Sequence, residues 1–175
     1  LSFSGFKEGL HSHGRAIKNT VWRDVRIPVS VGISSTKTLA KLANNAAKKI
    51  PKLDGVCLLE TELQRQWLLK KTPVSKVWGV GRRYTRRLAD MQVYSAWDLA
   101  TSNYKILRRR FNVCLERTIA ELNGQACIQL EEHPDDKKQI YCTRSFGKKI
   151  TDLKDLQQAV SVYASRAAEK MRMQK

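Results

Sequence analysis

The order of elements over residues 5–59 constrains this chain most. Phe6, Leu10, Ile17 and Val21 recur at helical spacing, so a helix is expected from near Gly5 to near Asp24. Arg26 to Ile33 (RIPVSVGI) is β-branched and apolar and reads as a strand, with Pro28 near its start. Ser34, Ser35 or Thr36 then caps a second helix, whose Leu39, Leu42, Ala43, Ala46 and Ile50 give it an apolar face. A turn at Lys52-Leu53-Asp54-Gly55 leads into a short strand from Val56 to Leu59. Helix, strand, helix, strand in that order is part of an α/β or α+β sheet domain.

The next stretch, residues 61–128, changes character and reads as all helical. Glu62 to Lys70 is amphipathic, with Leu63, Trp67 and Leu68 on one side, and Pro73 breaks it. Short helices follow around 82–90, 95–101, 103–111 and 113–122, and Gly124 stops the last. Residues 131–138 (EEHPDDKK) are a charged, proline-containing linker. Beyond it lie one strand (Gln139 to Phe146), a turn at Gly147 and one long helix from about Leu153. A strand and a helix cannot bury their own apolar faces, so this last piece lacks sheet partners. The sequence reads as an internal slice of a larger protein.

Charge sets the class of partner. Thirty-three Lys and Arg against 16 Asp and Glu give +17 over 175 residues, which calls for a polyanion: nucleic acid or an anionic membrane surface. No run approaches the roughly 18 apolar residues of a membrane span, and no helix pairs a basic face with a bulky lipid-facing one. Cys57, Cys114, Cys127 and Cys142 lack metal-ligand spacing, so reduced thiols in a cytosolic protein are expected and a metal site is not. The tryptophans Trp22, Trp67, Trp78 and Trp97 read as core, and His11, His13 and His133 as exposed polar residues.

Three motifs carry chemistry. Val77-Trp78-Gly79-Val80-Gly81-Arg82-Arg83 reads as a helix-hairpin-helix, in which Gly79, Val80 and Gly81 let backbone approach another surface closely. The amides that open the next helix can hold a phosphate, and Arg82, Arg83, Arg86 and Arg87 add charge. Such a turn grips nucleic-acid backbone without reading sequence. A bare tight turn with a solvated arginine face is the bland alternative, and the +17 chain weighs against it. In the second motif, Val31 to Lys37 followed by Lys41, Lys37 stands in the first turn of a helix, where the dipole disfavours a cation. Sharing a phosphate ligand with that helix end makes such a lysine less strange. From spacing alone, two ordinary solvated lysines explain it better, and the P-loop frame is absent. The third motif, Tyr141 to Lys149, sets Thr143 and Ser145 beside Arg144 and Lys148 on a strand, which suits phosphate contacts as well as it suits a protected sheet edge.

Taken together these residues resemble the Y-family translesion DNA polymerases, most closely the catalytic subunit of the bacterial SOS error-prone polymerase, of UmuC type. The matching stretches are residues 29–49, 77–83, 111–132 and 142–152, collinear and covering nearly the whole chain. The resemblance implies an α+β, multidomain fold. Residues 1–60 would be part of a palm, a ferredoxin-like α/β sheet domain, and 61–72 a connecting helix. Residues 73–128 would be an all-helical thumb with the helix-hairpin-helix, 129–138 a linker, and 139–175 the start of an α/β little finger. It implies that Lys37 contacts the triphosphate of the incoming nucleotide. It likewise implies that Gly79, Val80, Gly81, Arg82, Arg83 and Arg86, with Thr143, Arg144, Ser145 and Lys148, hold DNA backbone.

The implied reaction is Mg2+-assisted nucleotidyl transfer by a DNA-directed DNA polymerase, with two metal ions stabilising the attacking and leaving oxygens. Its catalytic carboxylates are expected upstream of Leu1, so the chain alone is expected to be inactive, with no catalytic or metal residue of its own. Ser2 stands where many relatives carry an acidic residue. Implied partners are primer-template DNA and deoxynucleoside triphosphates. For the parent they extend to a sliding clamp, UmuD-type accessory subunits and a recombinase filament, at work in the cytoplasm on the nucleoid and not at a membrane. The rival reading is a non-enzymatic helix-hairpin-helix DNA-binding subunit of a repair complex. A membrane-surface protein ranks below it.

Overall fold

In the computed structural model, two parallel strands are joined by the helix between them. Strand β1 (Val31–Ile33) pairs with β2 (Val56–Leu58), Val31 opposite Val56 and Ile33 opposite Leu58, and helix α2 (Lys37–Lys49) makes the crossover. Thr36 starts α2 by accepting a hydrogen bond from the Leu39 amide at 3.2 Å, and Leu39, Leu42, Ala43 and Ala46 face inward as their spacing predicts. The helix lies so close to β1 that a Cβ on Gly32 would stand 2.1 Å from the Asn44 nitrogen and 2.3 Å from the Ala40 oxygen. Only glycine fits there. Helix α1 (Leu10–Val25) packs on both strands. It begins later than the spacing predicts, because Gly9 sits at φ 76°, outside the right-handed helix.

The sheet is smaller than expected. Of Arg26 to Ile33 only Val31–Ile33 is strand: Arg26 is a left-handed cap on α1, and residues 27–30 have no neighbouring strand to pair with. The architecture is mostly helical with one small two-stranded parallel sheet.

Helix α3 (Glu62–Lys71) starts with a capping box between Thr61 and Gln64. Its inward side differs from the expected one. Leu68 and Leu69 are buried, whereas Leu63 is 79% and Trp67 40% exposed. After a 3-10 turn (Val74–Lys76) come α4 (Arg82–Ala89), α5 (Ala96–Thr101), α6 (Tyr104–Arg110) and α7 (Val113–Leu122). Ser95, Asn103 and Asn112 cap the last three. One hydrophobic core runs without a break from Leu39 and Leu42 through Leu69, Val80, Leu88 and Leu99 to Leu122.

The described residues are 2–3, 5–6, 9–128 and 139–173, and the chain divides into two compact units, residues 1–130 and 131–175. The expected linker 131–138 lies outside the described residues. In the second unit helix α8 (Leu153–Arg172) is capped by Asp152, which accepts from the Lys154 amide at 3.0 Å. Residues 139–146 are not a strand, since among the described residues of that unit no second strand offers backbone partners. Helix α8 buries none of its residues.

Candidate nucleic-acid interface

The glycine turn before α4 is built from the core outward. Val77 and Val80 are buried, and between them the chain reverses at Gly79, whose φ of 87° a side chain would strain. A Cβ on Gly81 would meet nothing within 4 Å, so the backbone there faces open space. Gly81 precedes α4 without a side-chain cap, and Arg82, Arg83 and Arg86 are exposed. Arg87 belongs to the protein instead. Its guanidinium lies 4.3 Å over the Phe111 ring and donates to the Arg110 carbonyl. Tyr84 meets Phe111 edge-on at 5.1 Å, and its hydroxyl accepts from Asn112 Nδ2 at 2.9 Å, which locks α4 against α7.

Two basic motifs distant in sequence meet here. Lys41, on α2, holds its ammonium 5.0 Å over the ring of Trp78 in the glycine turn. Three of the four tryptophans are exposed, Trp22 at 49%, Trp67 at 40% and Trp78 at 44%, against the expectation of core. Lysines cover the rings: Lys71 stands over Trp67 at 4.9 Å and Lys70 over Trp97 at 5.3 Å. Trp97 alone of the four packs on the core. His13 also departs from the expected exposed state: it is half-buried, with its ring edge-on to Phe3 at 5.3 Å and tilted against Phe6 at 4.7 Å.

Lys37 opens α2 at the mouth of a cleft of about 620 Å³, walled by residues 32–37, 58–60, Ala126 and Ile128. In the first turn of α2 the Thr38 and Leu39 amides already have acceptors within the protein. One acceptor is a carboxylate from another helix. Glu121, fully buried on α7, accepts through Oε2 from the Thr38 amide (2.9 Å) and the Thr38 hydroxyl (2.7 Å). Through Oε1 it accepts from the amides of Cys127 and Ile128, both at 3.0 Å. The Glu121 carbonyl accepts from the Thr36 hydroxyl at 2.9 Å. Burial pushes the Glu121 carboxyl up, but the bonds from Thr38, Cys127 and Ile128 outweigh it and hold the pKa below the ordinary glutamate value. One of the amides that a phosphate shared with Lys37 would use, that of Thr38, is thus bonded to Glu121.

Sequence reasoning missed Glu121, yet a signal existed. A lysine opening α2 and a glutamate closing α7 are each of the wrong sign for their own helix dipole. The two anomalies answer one another, because the carboxylate at the end of α7 sits at the start of α2.

In the second unit Thr143, Arg144, Ser145 and Lys148 are exposed along an extended segment. Tyr141, Thr143 and Arg144 face Tyr163, Arg166 and Lys170 of α8 across a cleft of about 550 Å³. All four cysteines are free, and burial pushes the Cys57 thiol up, which disfavours its thiolate. Among the described residues no helix is long and apolar enough to cross a membrane, and no three His, Cys, Asp or Glu side chains come together as a metal site would require.

This geometry can be set beside known proteins. The fold is shared with part of a solved polymerase: a DinB family error-prone DNA polymerase from Sulfolobus solfataricus superposes with a TM-score of 0.52 at 23% identity, over 73% of this chain and 41% of that one. The model described as the impB/mucB/samB family C-terminal domain matches residues 137–175. In sequence the chain is similar to the UmuC protein of Salmonella typhimurium, 48% identical over 93% of this chain and 39% of the relative. The MucB protein of Escherichia coli is 45% identical over the same shares. The resemblance carried by the motifs is borne out, and the chain spans about two fifths of the length of these curated relatives.

Proposed function

We propose that the chain is part of an error-prone, DNA-directed DNA polymerase of the SOS response that adds nucleotides opposite damaged template. Residues 1–60 serve as part of its palm, 61–72 as a connecting helix, 73–128 as its thumb, 129–138 as a linker and 139–175 as the start of its little finger. Lys37 holds the triphosphate of the incoming nucleotide. Gly79, Val80, Gly81, Arg82, Arg83 and Arg86 hold DNA backbone, and Thr143, Arg144, Ser145 and Lys148 hold it from the second unit.

One observation favours this reading over a free-standing helix-hairpin-helix subunit. The core under the glycine turn is continuous with the core under the Lys37 cleft. A module that only grips DNA has no use for that union, whereas a polymerase must keep nucleotide and primer in register. Magnesium ions belong to the family chemistry. The described residues do not fit a metal, so this chain's own part is to bind and orient phosphate and backbone. The same reading puts a sliding clamp, UmuD-type accessory subunits and a recombinase filament among the parent's partners, in the cytoplasm at the nucleoid.

The test is primer extension past an abasic site by the polymerase that contains this chain. Lys37→Ala is expected to raise the nucleotide KM and leave DNA affinity nearly intact. Arg82→Ala with Arg83→Ala is expected to do the reverse. Identical defects from both would break the division of roles. DNA binding without any extension would favour the repair-subunit reading.

A further inference from the structure

The opposite end of α2 from Lys37 borders a second concavity. A groove of about 510 Å³ lies between the last turns of α2, α3 and the chain that follows α3. Its floor is apolar: Leu42, Ala46, Ile50 and Leu68. Trp67 forms one wall, 40% exposed, with Lys71 holding one of its faces. The rim is Lys48, Lys49, Lys71 and Lys76, and no acidic residue lines the groove. None of the four ammonium groups makes an ion pair with a described residue.

Helix dipoles account for lysine at the end of one helix. They do not account for two helix ends and the 3-10 lysine, Lys76, converging on one apolar trough with no counter-ion. Charge of that kind around an exposed aromatic is complementary to a single extended chain that carries carboxylates beside a bulky apolar side chain. Duplex nucleic acid is less suited, because its bases are stacked inward, so its phosphates would meet the rim while nothing apolar filled the floor, and a single strand is left to the test below.

We propose that this groove docks an acidic peptide segment of a partner protein, with one aromatic or aliphatic side chain seated on Ile50 and Trp67. The proposal is independent of the polymerase reading.

The full chain is titrated with a short fluorescein-labelled peptide of Asp and Glu around a Leu-Phe pair. Companion probes are the same peptide with Ser for Leu and Phe, the same peptide with amides for acids, and a single-stranded oligonucleotide. The intact peptide is expected to bind, and either change in the peptide is expected to weaken it about tenfold. Lys48→Glu with Lys71→Glu, and separately Trp67→Ala, are expected to weaken it about as much, while Arg82→Ala with Arg83→Ala leaves it unchanged. Circular dichroism checks that each variant is folded. Peptide affinity indifferent to the groove variants would overturn the proposal. So would equal binding of the peptide without its anchor, or groove variants that cost the oligonucleotide more than the peptide.

Discussion

Helices α2 and α8 are both amphipathic on paper and meet opposite fates. Helix α2 buries Thr38, Leu39, Leu42, Ala43, Ala46 and Ala47 against strands and helices on several sides. Helix α8 is longer, 20 residues, and buries none, leaving Leu153, Leu156, Val160 and Met171 exposed. The difference is not in the helices but in what surrounds them. An apolar stripe stabilises a fold only when another element covers it, and residues 139–146 leave α8 without a sheet. The first unit has a packed core, and the second, among its described residues, has no buried apolar side chain.

The most severe test of that contrast uses two glycines. Gly32→Ala forces a methyl into the α2 backbone and is expected to unfold the first unit, or cost it more than about 4 kcal/mol. Gly147→Ala, where a Cβ meets nothing within 4 Å, is expected to fall within about 0.5 kcal/mol of the parent. Urea unfolding followed by tryptophan fluorescence reads the first unit alone, since all four tryptophans lie there. Circular dichroism reads both. Equal effects at the two glycines would abolish the distinction.

Leucines give the next largest effect. Leu99→Ala opens a cavity in a fully buried position and is expected to cost roughly 2–5 kcal/mol. Leu156→Ala, at an exposed site, is expected to cost less than about 0.5 kcal/mol in the same measurements.

Glu121 sharpens the comparison through pH. Its folded pKa is lowered, so its contribution is fully present above the ordinary glutamate value and is lost as pH falls through the folded value. Urea midpoints of the first unit are expected to drop on acidification, and Glu121→Gln is expected to flatten that limb. At neutral pH Glu121→Ala leaves buried donors without an acceptor and is expected to cost roughly 3 kcal/mol. The smallest effect on stability is at the DNA face. Arg82→Ala with Arg83→Ala is expected to leave unfolding unchanged while lowering the salt slope of DNA binding by about 2.

Much of this was legible from residues alone. Helices α4 to α7 fall within about a residue of their expected limits because Ser95, Asn103 and Asn112 are capping types in capping places. The glycine turn was legible too, since Gly79 needs a conformation that other residues avoid. Strands were less so. RIPVSVGI has strand composition throughout, but strand length is set by the partner, and only Val31–Ile33 has one. Tryptophan was misjudged for a related reason. Its size predicts burial, while here Trp67 and Trp78 stay partly exposed, each with a lysine ammonium over its ring. Glu121 was hidden because its partners, Thr36, Thr38, Cys127 and Ile128, include two more than 80 positions away in the chain.

That carboxylate also has a mechanical meaning. The strand of polypeptide leaving α7 is moored at Cys127 and Ile128 by two bonds to Glu121 Oε1, beside the wall of the Lys37 cleft. A tug on the chain past residue 128 therefore loads those two bonds first, and through the same side chain reaches the Thr38 amide one residue from Lys37. One buried side chain thus ties the backbone at residues 127–128 to the start of α2.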